Sequence, residues 1–166
     1  MPKLGYGFSL MRDSYGNLKR LYSVGAVSYA VKKFIEDDYA ALAEVSVDVR
    51  EGDSIFLSSE TLAFFFKALF TAVQGRAYLK LAFYSDGAGF SVNITAPSKD
   101  AVISEDVPSL IRLARDVGFE CEIIEGGVRL NVSCARDGAV KVYVHCDSFD
   151  MEQIVNALKN AFLSKE

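Results

Sequence analysis

The chain has 166 residues, 51% hydrophobic and 24% charged, enough for one domain whose core needs no metal or disulfide staple. Its 22 acidic and 18 basic residues leave a net charge of −4, so no basic excess draws it to a nucleic-acid backbone. A lone histidine, His145, excludes a multi-histidine metal centre, and three cysteines without a C-x-x-C pair (Cys121, Cys134, Cys146) read as reduced thiols, as expected in the cytoplasm.

No stretch reads as a signal peptide or a membrane span. The most apolar one, 62–73, contains Lys67 and is too short to cross a bilayer. No linker, repeat or low-complexity segment divides the chain, so one domain over 1–166 is expected.

In chain order, residues 1–22 read as an N-terminal hairpin or extension, with Leu4, Tyr6, Phe8 and Leu10 alternating before a turn at 13–17. From Val24 to Leu42, Val27, Val31, Phe34 and Ile35 recur at helical spacing, with Lys32, Lys33, Glu36 and Asp37 opposite and Ser23 placed to cap. Val45, Val47 and Val49 alternate with polar residues as a strand, and Glu51-Gly52-Asp53 turns into a short strand at 55–57. Ser58 or Ser59 then caps a helix to about Val73. It is apolar almost all round, and its polar stripe is Glu60, Lys67, Thr71 and Gln74.

Strands at 77–84 and 90–95 form a hairpin across Ser85-Asp86-Gly87. After a loop at 96–106, a helix starts near Asp106 and stops at Gly118. Strands at 119–124, 128–134 and 140–146 follow. A last amphipathic helix begins at Asp147 or Ser148, with Met151, Ile154, Val155, Leu158 and Phe162 inward. Tight turns join most strands. The expected fold is an α+β two-layer sandwich, a largely antiparallel, mixed sheet covered on one face by helices.

This order resembles the ATP-binding (GHKL-type) domain of sensor histidine kinases over residues 22–134. The run from Val45 to Val73 carries the likeness most clearly, as strand, turn, short strand and deep helix. The helix before it, the hairpin after it and the segment Leu110–Gly118 continue the match. The resemblance implies a histidine-kinase ATPase-like fold, with 135–166 as an extra strand and C-terminal helix.

It also implies where nucleotide chemistry would sit, and there the residues depart. Family members carry two asparagines, four apart, on the deep helix, one of them a ligand of the magnesium on ATP. The matching positions here are Lys67 and Thr71. Magnesium takes hard oxygen ligands, and a lysine ammonium has donors only. The family's aspartate and Gly-x-Gly turn after the hairpin are replaced by Ala96-Pro97-Ser98, and 100–106 holds no glycine to line a phosphate lid. His145 lies near the C-terminus, whereas the family's phosphoacceptor lies on an upstream helix. The resemblance is therefore to a degenerate form, lacking the nucleotide motifs.

Single features have plainer readings beside these. Lys67 and Thr71 are the polar edge of a buried helix before they are an anion site. His145 is an outward strand residue, and Cys134 and Cys146 are small core fillers. Asp48, Arg50, Glu51 and Asp53 form a solvated turn before an acid–base pair. Phe64, Phe65 and Phe66 cover three helix faces, one more than a two-layer core requires, so deep burial or a subunit contact is expected of the third.

The leading expectation is a non-catalytic signalling or regulatory domain, a bacterial pseudokinase of two-component signal transduction. It would act by binding a regulatory protein or itself, without a cofactor. The first alternative is an ATP-binding kinase domain with strongly diverged motifs, using Mg–ATP through Lys67 and Thr71. The second is a small-ligand or nucleotide sensor using the vacated pocket.

Overall fold

The structure, a computed structural model, describes residues 16–17, 19–73, 78–96, 111–112, 114–115, 118–124, 127–134 and 147–163. The N-terminal alternation at 4–10, the loop at 97–106, the strand at 140–146, and with it His145 and Cys146, lie outside the described residues.

Strand β1 (Arg20–Ser23) runs directly into helix α1 (Val24–Asp38). The Ser23 hydroxyl accepts the Ala26 N–H at 3.0 Å, the cap its position promised. The helix ends at Asp38, short of the expected Leu42, and Tyr39 closes it by donating its N–H to the Ile35 carbonyl at 2.7 Å. Asp37 and Asp38 explain the early stop, because acidic side chains at a helix C-terminus meet the negative end of its dipole.

Strand β2 (Ala43–Asp48) and β3 (Ser54–Leu57) lead to helix α2 (Ser59–Val73), where the Ser58 hydroxyl accepts the Thr61 N–H. Strands β4 (Leu79–Ser85) and β5 (Gly89–Thr95) form the expected hairpin. After β6 (Glu120–Ile124) and β7 (Gly127–Ser133) comes helix α3 (Asp147–Leu163). Residues 111–112 and 114–115 are also helical, and Gly118, at φ +104°, ends that segment by donating to the Ala114 and Arg115 carbonyls.

The main sheet has the order β2-β4-β5-β7-β6, with β2–β4 parallel and the other pairs antiparallel. Parallel pairing follows from the α2 crossover between β2 and β4. The fold is thus α+β with a mixed sheet. β1 stands apart and pairs antiparallel with β3, Leu21 opposite Phe56. For the described part of 1–22, β1 has a partner in β3, more than thirty residues ahead; the alternating residues 4–10 of the expected hairpin lie outside the described residues.

Alternation divides the sheet. Val45, Leu81, Phe83, Val92, Ile94, Val128 and Leu130 are buried on the helix side. The other face carries Ser46, Lys80, Asn93 and Arg129, and Arg129 links Asn93 (2.8 Å) to Glu122 (3.0 Å) across three strands. At the β2 edge, Lys32 of α1 donates to the Val45 carbonyl at 3.2 Å, which blunts an exposed strand edge.

The helices cover the inner face, and α3 packs along both α1 and α2 more extensively than those two pack on each other. All three run in the same direction. Their N-termini gather near β1 and β3, where Arg20 meets Asp150 and Asn17 meets Thr61. Their C-termini gather at the rings of Phe34, Tyr39, Phe70 and Phe162.

Candidate functional site

Helix α2 is apolar because it is deep. Phe65, Phe66, Leu69 and Phe70 are buried, with Phe65 and Phe66 edge to face at 5.5 Å. Phe64 alone of the triplet faces outward, 47% exposed. Four-residue spacing then sets Lys67, half-buried, and Thr71, exposed, on one face one turn apart.

Both line a cavity of about 170 Å³ whose other described walls are Tyr39, Leu42, Phe70 and Phe162. Helix α3 supplies the covering ring. Phe162 lies 4.9 Å from Phe34, 5.1 Å from Tyr39 and 5.5 Å from Phe70, centroid to centroid. These are tilted and edge-to-face contacts, the geometry that ring quadrupoles prefer. The sequence marks Phe162 as inward, and carries no signal of what it lies against.

Two properties decide what this place can hold. First, Tyr39 caps α1, Phe70 and Thr71 lie in the last turn of α2, and Phe162 lies in the last turn of α3. The last turns of three helices therefore border the cavity. Phosphates favour helix N-termini, and the negative ends found here favour a cation such as the Lys67 ammonium. Second, the volume falls below the ~300–1,000 Å³ of pockets that enclose drug-sized ligands. Lys67 can donate to an anion but cannot ligate magnesium. Of the two α2 positions, Thr71 offers magnesium one hydroxyl oxygen and Lys67 offers none. Among the described residues, no three His, Cys, Asp or Glu side chains form a cation cage.

The turn at 48–53 differs from its sequence reading at one position. Asp53 is buried rather than solvated. Its carboxylate accepts the Gly87 N–H at 2.9 Å and its carbonyl accepts the Val24 N–H at 2.9 Å. Asp53 thus ties the β4–β5 turn to the start of α1. Arg50 joins the same junction, its N–H on the Ser85 hydroxyl at 2.7 Å and its guanidinium where a Cβ on Gly87 would lie. Asp86 accepts the Gly89 and Ala88 N–H groups, which hold its carboxyl below the ordinary carboxylate range. The arrangement is a structural joint.

Cys134 abuts this joint, buried as expected. Burial first, then the carboxylates of Asp53 and Asp86, push its thiol up to about 11 against the opposing pull of Arg50. Burial also raises Cys121. Neither is a thiolate at neutral pH, so neither is poised as a nucleophile.

Sequence reasoning missed the polar contacts at the other end of α3. Asp150 is fully buried and pairs with Arg20 of β1 at 2.8 Å. The Arg20 guanidinium also reaches Gln153 and lies 4.7 Å over the Tyr22 ring, while the Tyr22 hydroxyl donates to Gln153 at 3.1 Å. Burial raises the Tyr22 phenol. An acid in a first helical turn is ordinary in sequence, so nothing marked Asp150 as the partner of a residue 130 positions away.

No protein-family model matches the chain, and no curated protein matches it. Solved structures do. The α+β fold is similar to the cytoplasmic segment of histidine kinase QseC, at 16% identity over 80% of this chain and 85% of that one, with a TM-score of 0.43. It is similar to the Acinetobacter baumannii histidine kinase AdeS, at 9% identity, 74% and 69% coverage and a TM-score of 0.46. It is also similar to the ATP-binding domain of PrrB from Mycobacterium tuberculosis, at 15% identity, 70% and 96% coverage and a TM-score of 0.42. These likenesses concern the fold. Among the described residues no helix is long and apolar enough to cross a membrane.

Proposed function

We propose that the chain is a non-catalytic signalling or regulatory domain that acts by binding a regulatory protein or a second copy of itself. It uses a histidine-kinase-like scaffold in bacterial two-component signalling, as a cytoplasmic pseudokinase without a nucleotide cofactor. One observation carries the reading. The α2 face that would present magnesium ligands presents Lys67 and Thr71 to a small cavity bordered by Phe162. A lysine ammonium, which only donates, stands at one of the two ligand positions, and the last turns of three helices border the cavity where Mg–ATP favours oxygen ligands and helix N-termini.

Titration calorimetry with Mg–ATP and with Mg–ADP tests it. The expected result is no saturable heat. Micromolar binding that disappears in Lys67→Ala and Thr71→Ala would overturn it in favour of a diverged ATP-binding domain.

A further inference from the structure

The two edges of the main sheet differ. At the β2 edge the Lys32 ammonium donates to the Val45 carbonyl. Strand β6 is the other end of the sheet, and among the described residues its backbone pairs only with β7. Ile123, on the helix side of β6 opposite Val128, is 69% exposed. Glu120 and Glu122 stand exposed on the opposite face. A strand with an open edge is a template for another strand, through the backbone N–H and C=O groups that it leaves unpaired.

The start of β6 also leaves a step. β7 runs two residues past it, so Val132 and Ser133 pair with β5 alone. A cavity of about 450 Å³ lies at this step, lined by Glu120, Asn131, Ser133 and Gly118 among others. Glu122 is held by Arg129 at 3.0 Å, whereas Glu120 makes no ion pair among the described residues. Carboxylate, amide and hydroxyl side chains all accept hydrogen bonds, and Glu120 adds a negative charge. The step therefore suits the ammonium or guanidinium of a long basic side chain.

We infer that the β6 edge is a strand-addition site for an extended segment of a partner protein in which basic and apolar residues alternate. The inference rests on reading the chain as an interaction domain. A basic residue opposite Glu120 places its side chain at the step, and an apolar residue three positions away, on the other face, covers Ile123. Backbone hydrogen bonds along β6 supply affinity, and the alternate side chains supply selection. A second copy of β6 fits badly. Antiparallel pairing centred on Cys121 sets Glu120 against Glu122, and centring on Glu122 sets that residue against its own copy. Like charges directly opposite destabilise a strand pair.

The test titrates a fluorescein-labelled peptide of alternating lysine and valine into the full chain, followed by anisotropy. Saturable binding is expected, at least about tenfold weaker in Glu120→Lys. The same charge change in Glu44→Lys, on the β2 edge, should weaken it less than about twofold. Both residues are exposed, so both variants keep the fold, which circular dichroism checks. A peptide of alternating lysine and glycine, equal in charge but without apolar residues, should bind at least about tenfold more weakly. With the lysine–valine peptide bound, β6 amides should exchange at least about tenfold more slowly.

Equal weakening by the two variants, or equal binding of the two peptides, would overturn the inference, because binding would then be diffuse charge attraction. Unchanged exchange at β6 in the peptide complex would overturn it too. So would a dimer of the chain alone that protects β6, because a second copy would then be the occupant. Saturable Mg–ATP heat would remove the underlying reading itself, whereas failure of the peptide without ATP binding would remove only the strand-addition site.

Discussion

Phe162 and Leu163 are adjacent, apolar and at the end of one helix, yet their truncation should have opposite consequences. Phe162 contacts three rings at 4.9, 5.1 and 5.5 Å, whereas Leu163 is 78% exposed. Fully burying a Phe side chain stabilises by about 1.5–3 kcal/mol, and half-burial gives about half of that. Each aromatic pair adds about 0.5–1.5 kcal/mol, less than additively where rings share neighbours. Phe162→Ala should therefore cost about 2–3 kcal/mol, and Leu163→Ala under about 0.5 kcal/mol. With a urea slope near 2 kcal/mol/M, the midpoint falls by roughly 1 M for the first and hardly moves for the second. Urea denaturation followed by far-ultraviolet circular dichroism reads both. Equal losses, or a Phe162→Ala loss below about 0.5 kcal/mol, would refute the placement of the ring against α1 and α2.

Other consequences follow from the joint at Asp53 and from the sheet. Cys134 is raised from 9.0 to about 11 in the folded state, so its contribution to stability is complete below pH 9 and is lost as pH rises through about 11. Native Cys134 should resist iodoacetamide at pH 8 while the urea-unfolded chain reacts, and rapid native labelling would contradict its burial. Asp53→Asn can keep the acceptor for the Gly87 N–H while removing the larger of the two carboxylate effects on the thiol, so native labelling of Cys134 at pH 9 should speed up with little change in fold. Labelling unchanged from wild type would refute that electrostatic contact. Gly127→Ala should destabilise by about 2 kcal/mol or more, because the new methyl would lie on the Ile94 carbonyl and the β5–β7 backbone must shift. An unchanged melting temperature would contradict that close approach.

Local pattern carried most of the elements. The helical stripe of α1, the Ser23 cap, the β2 alternation and the β4–β5 hairpin were all legible, because each is set by neighbours a few residues apart. The pairing of Leu21 with Phe56 was not, since a four-residue strand holds no record of which distant strand completes it. Asp53 read as a turn acid because its burial depends on where the β4–β5 turn comes to rest. At the candidate site, Lys67 and Thr71 were visible as unusual residues on an apolar helix. That Phe162 would border the space beside them was invisible, because periodicity assigns a residue to a helix face and says nothing about what that face meets. The same holds for Arg20 and Asp150, whose pairing depends on three helices running in one direction.

The central claim is that the α2 face bearing Lys67 and Thr71, beside the Phe162 ring, takes no nucleotide. Nuclear magnetic resonance of the isotopically labelled full chain tests it most directly, by following Phe162 contacts during a titration with Mg–ATP. The account predicts cross-relaxation from the Phe162 ring to Phe34, Tyr39 and Phe70 that persists at millimolar Mg–ATP, with no saturable shifts at Lys67 or Thr71. Saturable shifts at those two residues, accompanied by loss of the Phe162 contacts, would contradict it.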